Sequence, residues 1–102
     1  MGNHEYQIQE DKEIVEFVKN NQEWAFDNNR LVAGFKLVDF ATAIKVINQV
    51  AARAEQLDHH PRMTNTYNQL EFSLCTHSQG DRVTQLDIEL AMAISEIVNK
   101  YL

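Results

Sequence analysis

Apolar residues change their spacing several times along this chain, and each change marks an element. Over residues 9–20, QEDKEIVEFVKN, Ile14, Phe17 and Val18 share one face at helical spacing. Acidic residues crowd the start of that stretch, where the helix dipole favours negative charge. From Trp24 the period becomes two. Trp24 and Phe26 alternate with polar neighbours, and then Leu31, Ala33, Phe35 and Leu37 alternate on one face. Asn28 and Asn29 between these runs tolerate positive φ, so the segment predicts a hairpin with a two-residue turn. Asp39 offers an N-cap for a helix over residues 40–57, with Phe40, Ala43, Ile44, Ile47, Val50, Ala51 and Ala54 as its apolar stripe. Pro61, the only proline, disfavours helix at His60 and predicts extended chain beyond it. Residues 62–68 and 70–77 read as a second pair of strands. In LEFSLCTH, Phe72, Leu74 and Thr76 point one way, and Glu71, Ser73, Cys75 and His77 point the other. After the polar SQGDRV, Thr84 with Asp87 three residues later resembles a capping box. The helix it starts would bury Leu86, Leu90, Ala93, Ile94, Ile97 and Val98.

The predicted order is therefore α-β-β-α-β-β-α, an α+β fold of two layers. Two hairpins, each followed by a helix, give a four-stranded antiparallel sheet with the helices packed on one face. The 102 residues make a single domain with a thin core, a size at which oligomerisation is a common supplement. The other sheet face must stay wet or meet a partner, and the sheet edges need cover. A homodimer or homotetramer is the expectation.

Composition narrows the function. A net charge of −6 repels phosphate backbones and argues against a nucleic-acid partner. No apolar run approaches the roughly 20 residues of a membrane span, and the first residues lack an apolar signal-peptide core. Tyr6 stands where a myristoylation signal needs Ser or Thr. With one cysteine, Cys75, there is no internal disulfide, which suits a soluble cytoplasmic protein.

The candidate chemistry lies in the histidines. His59 and His60 stand where helix gives way to strand, and a hairpin leaving them would return His77 to their neighbourhood. Asp87, in the first turn of the last helix, could join the same end of the sheet. Three imidazoles and a carboxylate in one cleft would suit proton transfer near neutral pH. The plainer alternative is that the histidines serve free carbonyls at a helix end and that Asp87 only caps. Glu55, four residues before His59, could simply stabilise the helix end. Tyr67 and Trp24 suit packing, and Cys75 suits a small buried hydrophobe. A metal is not expected: adjacent side chains in extended chain diverge, so His59 and His60 are poorly placed to share an ion. No nucleophile elbow or glycine-rich phosphate loop is present.

The run Glu55-x-x-x-His59-His60-Pro61, then Tyr67, His77 and Asp87, resembles the signature of pterin-4a-carbinolamine dehydratases. The words AEQLDHHP, NTYN, CTHSQG and GFKLVDFATA, with Trp24, resemble the same family, and the likeness spans about residues 10–100. It implies removal of water from a 4a-hydroxytetrahydropterin to give the quinonoid dihydropterin, in tetrahydrobiopterin recycling or biosynthesis, without metal or redox cofactor. By that analogy His59 and His77 form the acid/base pair, His60 positions the ring, and Asp87 orients a histidine or the substrate. Pro61 would belong to the substrate pocket, and Thr76, Ser78 and Gln79 would offer backbone groups to the pterin edge. One departure stands out: DRVT replaces the usual Gly-Leu-Thr, so the run from His77 to Asp87 is one residue longer. Rival readings are a non-catalytic dimerisation cofactor or scaffold, and a dehydratase-like protein for another pterin, such as a molybdopterin-related compound.

Overall fold

The computed structural model describes residues 11–102, so the N-terminal expectations, Tyr6 among them, lie outside the described residues. The elements run α1 (Asp11–Asn20), β1 (Trp24–Asp27), β2 (Arg30–Lys36), α2 (Phe40–Leu57), β3 (Arg62–Thr66), β4 (Gln69–Leu74) and α3 (Gln85–Asn99), with a short 3-10 turn at His77–Gln79. The order and the α+β class are those the sequence predicts. The sheet is antiparallel throughout, in the order β1-β2-β4-β3.

Local chemistry explains the boundaries. Asn28 and Asn29 both have positive φ, 49° and 62°, as the β1–β2 turn requires. Asp39 caps α2 by accepting the Thr42 N–H at 2.8 Å, and the hydrogen bonds from the Thr42 side chain and backbone hold its carboxyl below the usual range. Tyr67 opens the β3–β4 turn at φ 54°, where Asn65 Nδ2 donates to the carbonyls of Tyr67 and Gln69. Strand β3 therefore stops at Thr66 rather than at residue 68.

Strand β4 stops at Leu74, three residues short of the predicted end, so His77 does not lie on it. The chain beyond closes on itself instead. Thr76 N–H donates to the Arg82 carbonyl, Gln79 N–H to that of Thr76, and Gly80 N–H to that of His77. Gly80 and Asp81 have positive φ, 72° and 58°, and make this tight loop.

One sheet face, with Trp24, Leu31, Ala33, Leu70, Phe72 and Leu74, packs against the helices in a single core. Two helix faces differ from their predicted stripes. Helix α2 buries Ala43, Val46, Val50 and Ala54, leaving Phe40 half exposed. Helix α3 is rotated, burying Asp87, Leu90, Ala91, Ile94, Ser95 and Val98. Ser95 can turn inward because it is paired: Trp24 Nε1 donates to its hydroxyl (2.8 Å), and the hydroxyl donates to Glu23 (2.6 Å). The opposite sheet face carries Ala25, Val32, Gly34, Glu71, Ser73, Arg62 and Thr64 around a shallow hollow of about 600 Å³. It is small and polar enough to face water without a cover.

Helix α2 ends in a Schellman arrangement. His59 N–H donates to the Ala54 carbonyl (3.0 Å) and Asp58 N–H to that of Glu55 (3.2 Å), with Asp58 left-handed at φ 50°. Only a few residues accept that conformation cheaply. Asp58→Val is expected to cost roughly 1–2 kcal/mol in thermal unfolding, while Asp58→Gly holds or raises the midpoint. A valine variant as stable as its parent would show that the cap carries no such constraint.

Candidate functional site

The left-handed turn at Asp58 sends the two neighbouring histidines to opposite environments. His59 is buried, while His60 is exposed. His59 Nε2 lies 2.5 Å from Asp87 Oδ1, and since an ionised carboxylate only accepts, that nitrogen carries the proton. In the neutral ring Nδ1 then carries the free lone pair.

Asp87 is fully buried and fully employed. Its Oδ2 accepts from the Thr76 hydroxyl (2.8 Å) and from the Thr84 backbone N–H (2.9 Å). The Thr84 bond is the carboxylate half of a capping box. The Thr76 and Thr84 hydroxyls are 2.8 Å apart, and with Thr76 donating to Asp87, Thr84 donates to Thr76. A carboxylate out of water needs this many donors. Capping and histidine contact, posed as alternatives by the sequence, are performed by one side chain at once. The tight loop after β4 leads into α3 so that Asp87 reaches His59.

The other two described histidines have carboxylate partners as well. His60 Nε2 is 2.5 Å from Glu55 Oε2, so Glu55 serves His60 rather than His59. His77 Nδ1 is 2.5 Å from Asp81 Oδ1, which leaves Nε2 free. Both pairs are solvent-exposed.

A cleft of about 240 Å³ gathers His60, Pro61 and His77 with Ser73 and Cys75, and with two arginines, Arg30 and Arg62. Of the other expected residues, His59, Thr76 and Asp87 are buried and do not line it. Ser78 and Gln79 sit on the 3-10 turn beside His77, also outside the lining. The arginines are additions that the sequence reading missed. They begin β2 and β3 on the outward face, where basic residues look merely solvated. Their signal is positional: Arg62 is the register partner of Ser73, and Arg30 Nη1 donates to the Ser73 hydroxyl at 3.2 Å.

His59 and His60 diverge, one buried and the other exposed. A different trio converges: one ligand atom each from Cys75, His77 and Asp81 lie within 4.8 Å of one another. A thiophilic dication would find three donors there, but would share the cleft with two guanidiniums that repel it. Cys75 is buried, and loss of solvation pushes its thiol above the ordinary range, an effect that the nearby Arg30 and Arg62 only partly offset. Native protein at pH 7 is therefore expected to react with iodoacetamide far more slowly than denatured protein. Mass spectrometry checks this, and equal rates would show the thiol to be open.

The residues 7–97 match the family model described as pterin 4 alpha carbinolamine dehydratase. A protein of Metallosphaera sedula named "Putative pterin-4-alpha-carbinolamine dehydratase" is 40% identical over 86 residues, covering 84% of this chain and 88% of its own length. A Prochlorococcus marinus protein of the same name is 36% identical over 90 residues, covering 88% and 94%. The crystal structure of a transcriptional coactivator/pterin dehydratase from Brucella melitensis superposes with a TM-score of 0.84 at 34% identity, covering 89% of this chain and 98% of that one. With the family pattern matched along most of its length, this chain belongs to the pterin-4a-carbinolamine dehydratase family.

Proposed function

We propose that the protein is a hydro-lyase that converts a 4a-hydroxytetrahydropterin to the quinonoid dihydropterin and water. The observation that carries this reading is the cleft that unites His60, Pro61 and His77, backed by the buried His59–Asp87 pair. The reaction breaks the C4a–O bond as the hydroxyl gains a proton and departs as water. A ring nitrogen loses its proton, and the N–H electron pair forms the new C=N bond. One proton is given and one is taken, so an acid and a base suffice.

Carboxylate-held imidazoles suit both tasks. A hydrogen bond at one nitrogen fixes the tautomer and raises the basicity of the other. In this reading His77, held by Asp81 in the cleft, and His59, held by Asp87 behind the cleft with only 10% of its side chain exposed, exchange the two protons, His59 through that exposed edge, while His60 holds the ring. Pro61 walls the pocket, and Thr76, Ser78 and Gln79 supply backbone groups near the pterin edge. The route served is the recycling or biosynthesis of a tetrahydropterin cofactor in the cytoplasm. Among the described residues no helix is long and apolar enough to cross a membrane.

The test is a dehydration assay on a freshly generated 4a-hydroxytetrahydropterin. The rate is expected to exceed the spontaneous one by orders of magnitude and to survive chelators. Protein that adds nothing to the spontaneous rate across several pterins would leave the scaffold reading, which the description of the Brucella protein as a transcriptional coactivator as well as a pterin dehydratase makes the natural second. A homodimer or homotetramer belongs to the proposal. The exposed Val38, Phe40 and Met92 support it, and light scattering that gives the monomer mass at micromolar concentration would remove it.

A further inference from the structure

We infer that the substrate's ring substituent carries an oxyanion, such as a phosphate monoester, bound by Arg30 and Arg62. This rests on the pterin reading of the cleft and adds the class of pterin. A neutral pterin ring needs hydrogen-bond donors and acceptors, not two full positive charges. Yet two guanidiniums border the same 240 Å³, with no acidic residue lining it. Among the described residues neither arginine has a carboxylate at ion-pair distance; the ion pairs present all belong to histidines. Glu55 and Asp81 are engaged by His60 and His77, and Asp87 is buried. A compact oxyanion would meet both planar forks and the Ser73 hydroxyl between them.

The position fits a substituent rather than the ring. Arg62 and Ser73 line both the histidine cleft and the larger hollow on the open sheet face, so they stand at the passage between the two. A ring held by His60 and His77 would bring its side chain to the arginines at that passage, short of Glu23 and Glu71 in the hollow beyond. In a chain of net charge −6, local positive charge is what keeps an anionic substrate from being repelled overall.

The test compares binding of three probes: a 6-(hydroxyalkyl)-7,8-dihydropterin, its phosphate monoester, and inorganic phosphate alone. Dissociation constants are read by fluorescence or calorimetry at low salt and at ~0.15 M salt. The ester is expected to bind about tenfold or more tighter than the neutral pterin, with the advantage shrinking as salt rises. In the Arg30→Gln/Arg62→Gln double variant the ratio of the two constants should fall towards one, whatever happens to the contacts both ligands share. Equal affinities in the parent protein overturn the inference, and so does inorganic phosphate binding as tightly as the ester. Dehydration of the neutral carbinolamine alongside equal affinities would leave the enzyme reading standing and this inference refuted. A clear ester preference without dehydration would sustain the inference and refute the enzyme reading. Failure of either pterin to bind overturns both.

Discussion

Asp87→Ala is expected to destabilise the protein by about 3–5 kcal/mol, the cost of breaking a buried pair and stranding its partners. The change leaves the His59 Nε2–H, the Thr84 backbone N–H and the Thr76 hydroxyl facing a void with their shared acceptor gone. A domain of this size has only about 5–15 kcal/mol of stability in all, so the variant should melt far below its parent. Asp87→Asn separates structure from chemistry. Its oxygen can still accept from Thr76 and Thr84, but its amide then presents hydrogens to His59. The His59 proton must move to Nδ1, the nitrogen that the proposed mechanism uses. The asparagine variant is therefore expected to keep most of the stability and lose most of the dehydration rate. Nitrogen NMR of the imidazole would report the changed tautomer. An asparagine variant with parental kcat would mean that the His59 tautomer is immaterial.

His77→Ala is expected to lower kcat for 4a-hydroxypterin dehydration by about 10²–10⁴-fold, the usual contribution of one general acid or base. The side chain is 78% exposed, so its removal should scarcely move the thermal midpoint, and the loss can be read as chemistry. Asp81→Asn, which keeps the side chain's size but not its charge, should give a smaller loss through the same imidazole. His60→Ala should act differently, raising KM more than it lowers kcat, because His60 is proposed to hold the ring. If His77→Ala retained the parental kcat, the proton-transfer role would have to pass to other residues.

Much of the fold is legible in the sequence because its signals are local. The Asn28-Asn29 turn, the Asp39 cap and the extended chain after Pro61 each rest on one or two residues, and α2 occupies the predicted residues 40–57. The failures share another origin. Helix α3 is misread by about one position because apolar periodicity counts Leu86, Ala93 and Ile97 as inward. The structure instead turns Asp87, Ala91 and Ser95 inward, having a partner for each polar group. Those partners, Trp24 and His59, are far away in sequence and silent in any local window. The end of β4 is missed for a similar reason. Alternation continues through CTH on paper, but the backbone of Thr76 pairs with Arg82 instead of a neighbouring strand. At the candidate site, the meeting of His60 with His77 follows from counting along a hairpin. The meeting of Arg30 with Arg62 does not, because it needs the register of β2, β4 and β3 together.

The two inward polar residues of α3 have a mechanical consequence. A helix held only by aliphatic contacts can slip or roll at modest cost, since one methyl group replaces another. Asp87 and Ser95 lie eight residues apart on one side of α3, each keyed to a different part of the molecule: Asp87 to the end of α2, Ser95 to the start of β1. Any axial shift or rotation would unkey both ends together. Helix α3 thus works as a spline that indexes the end of α2 beside the candidate site against the first hairpin. A one-residue insertion between these two positions would be harder to absorb than one in the loop that precedes them.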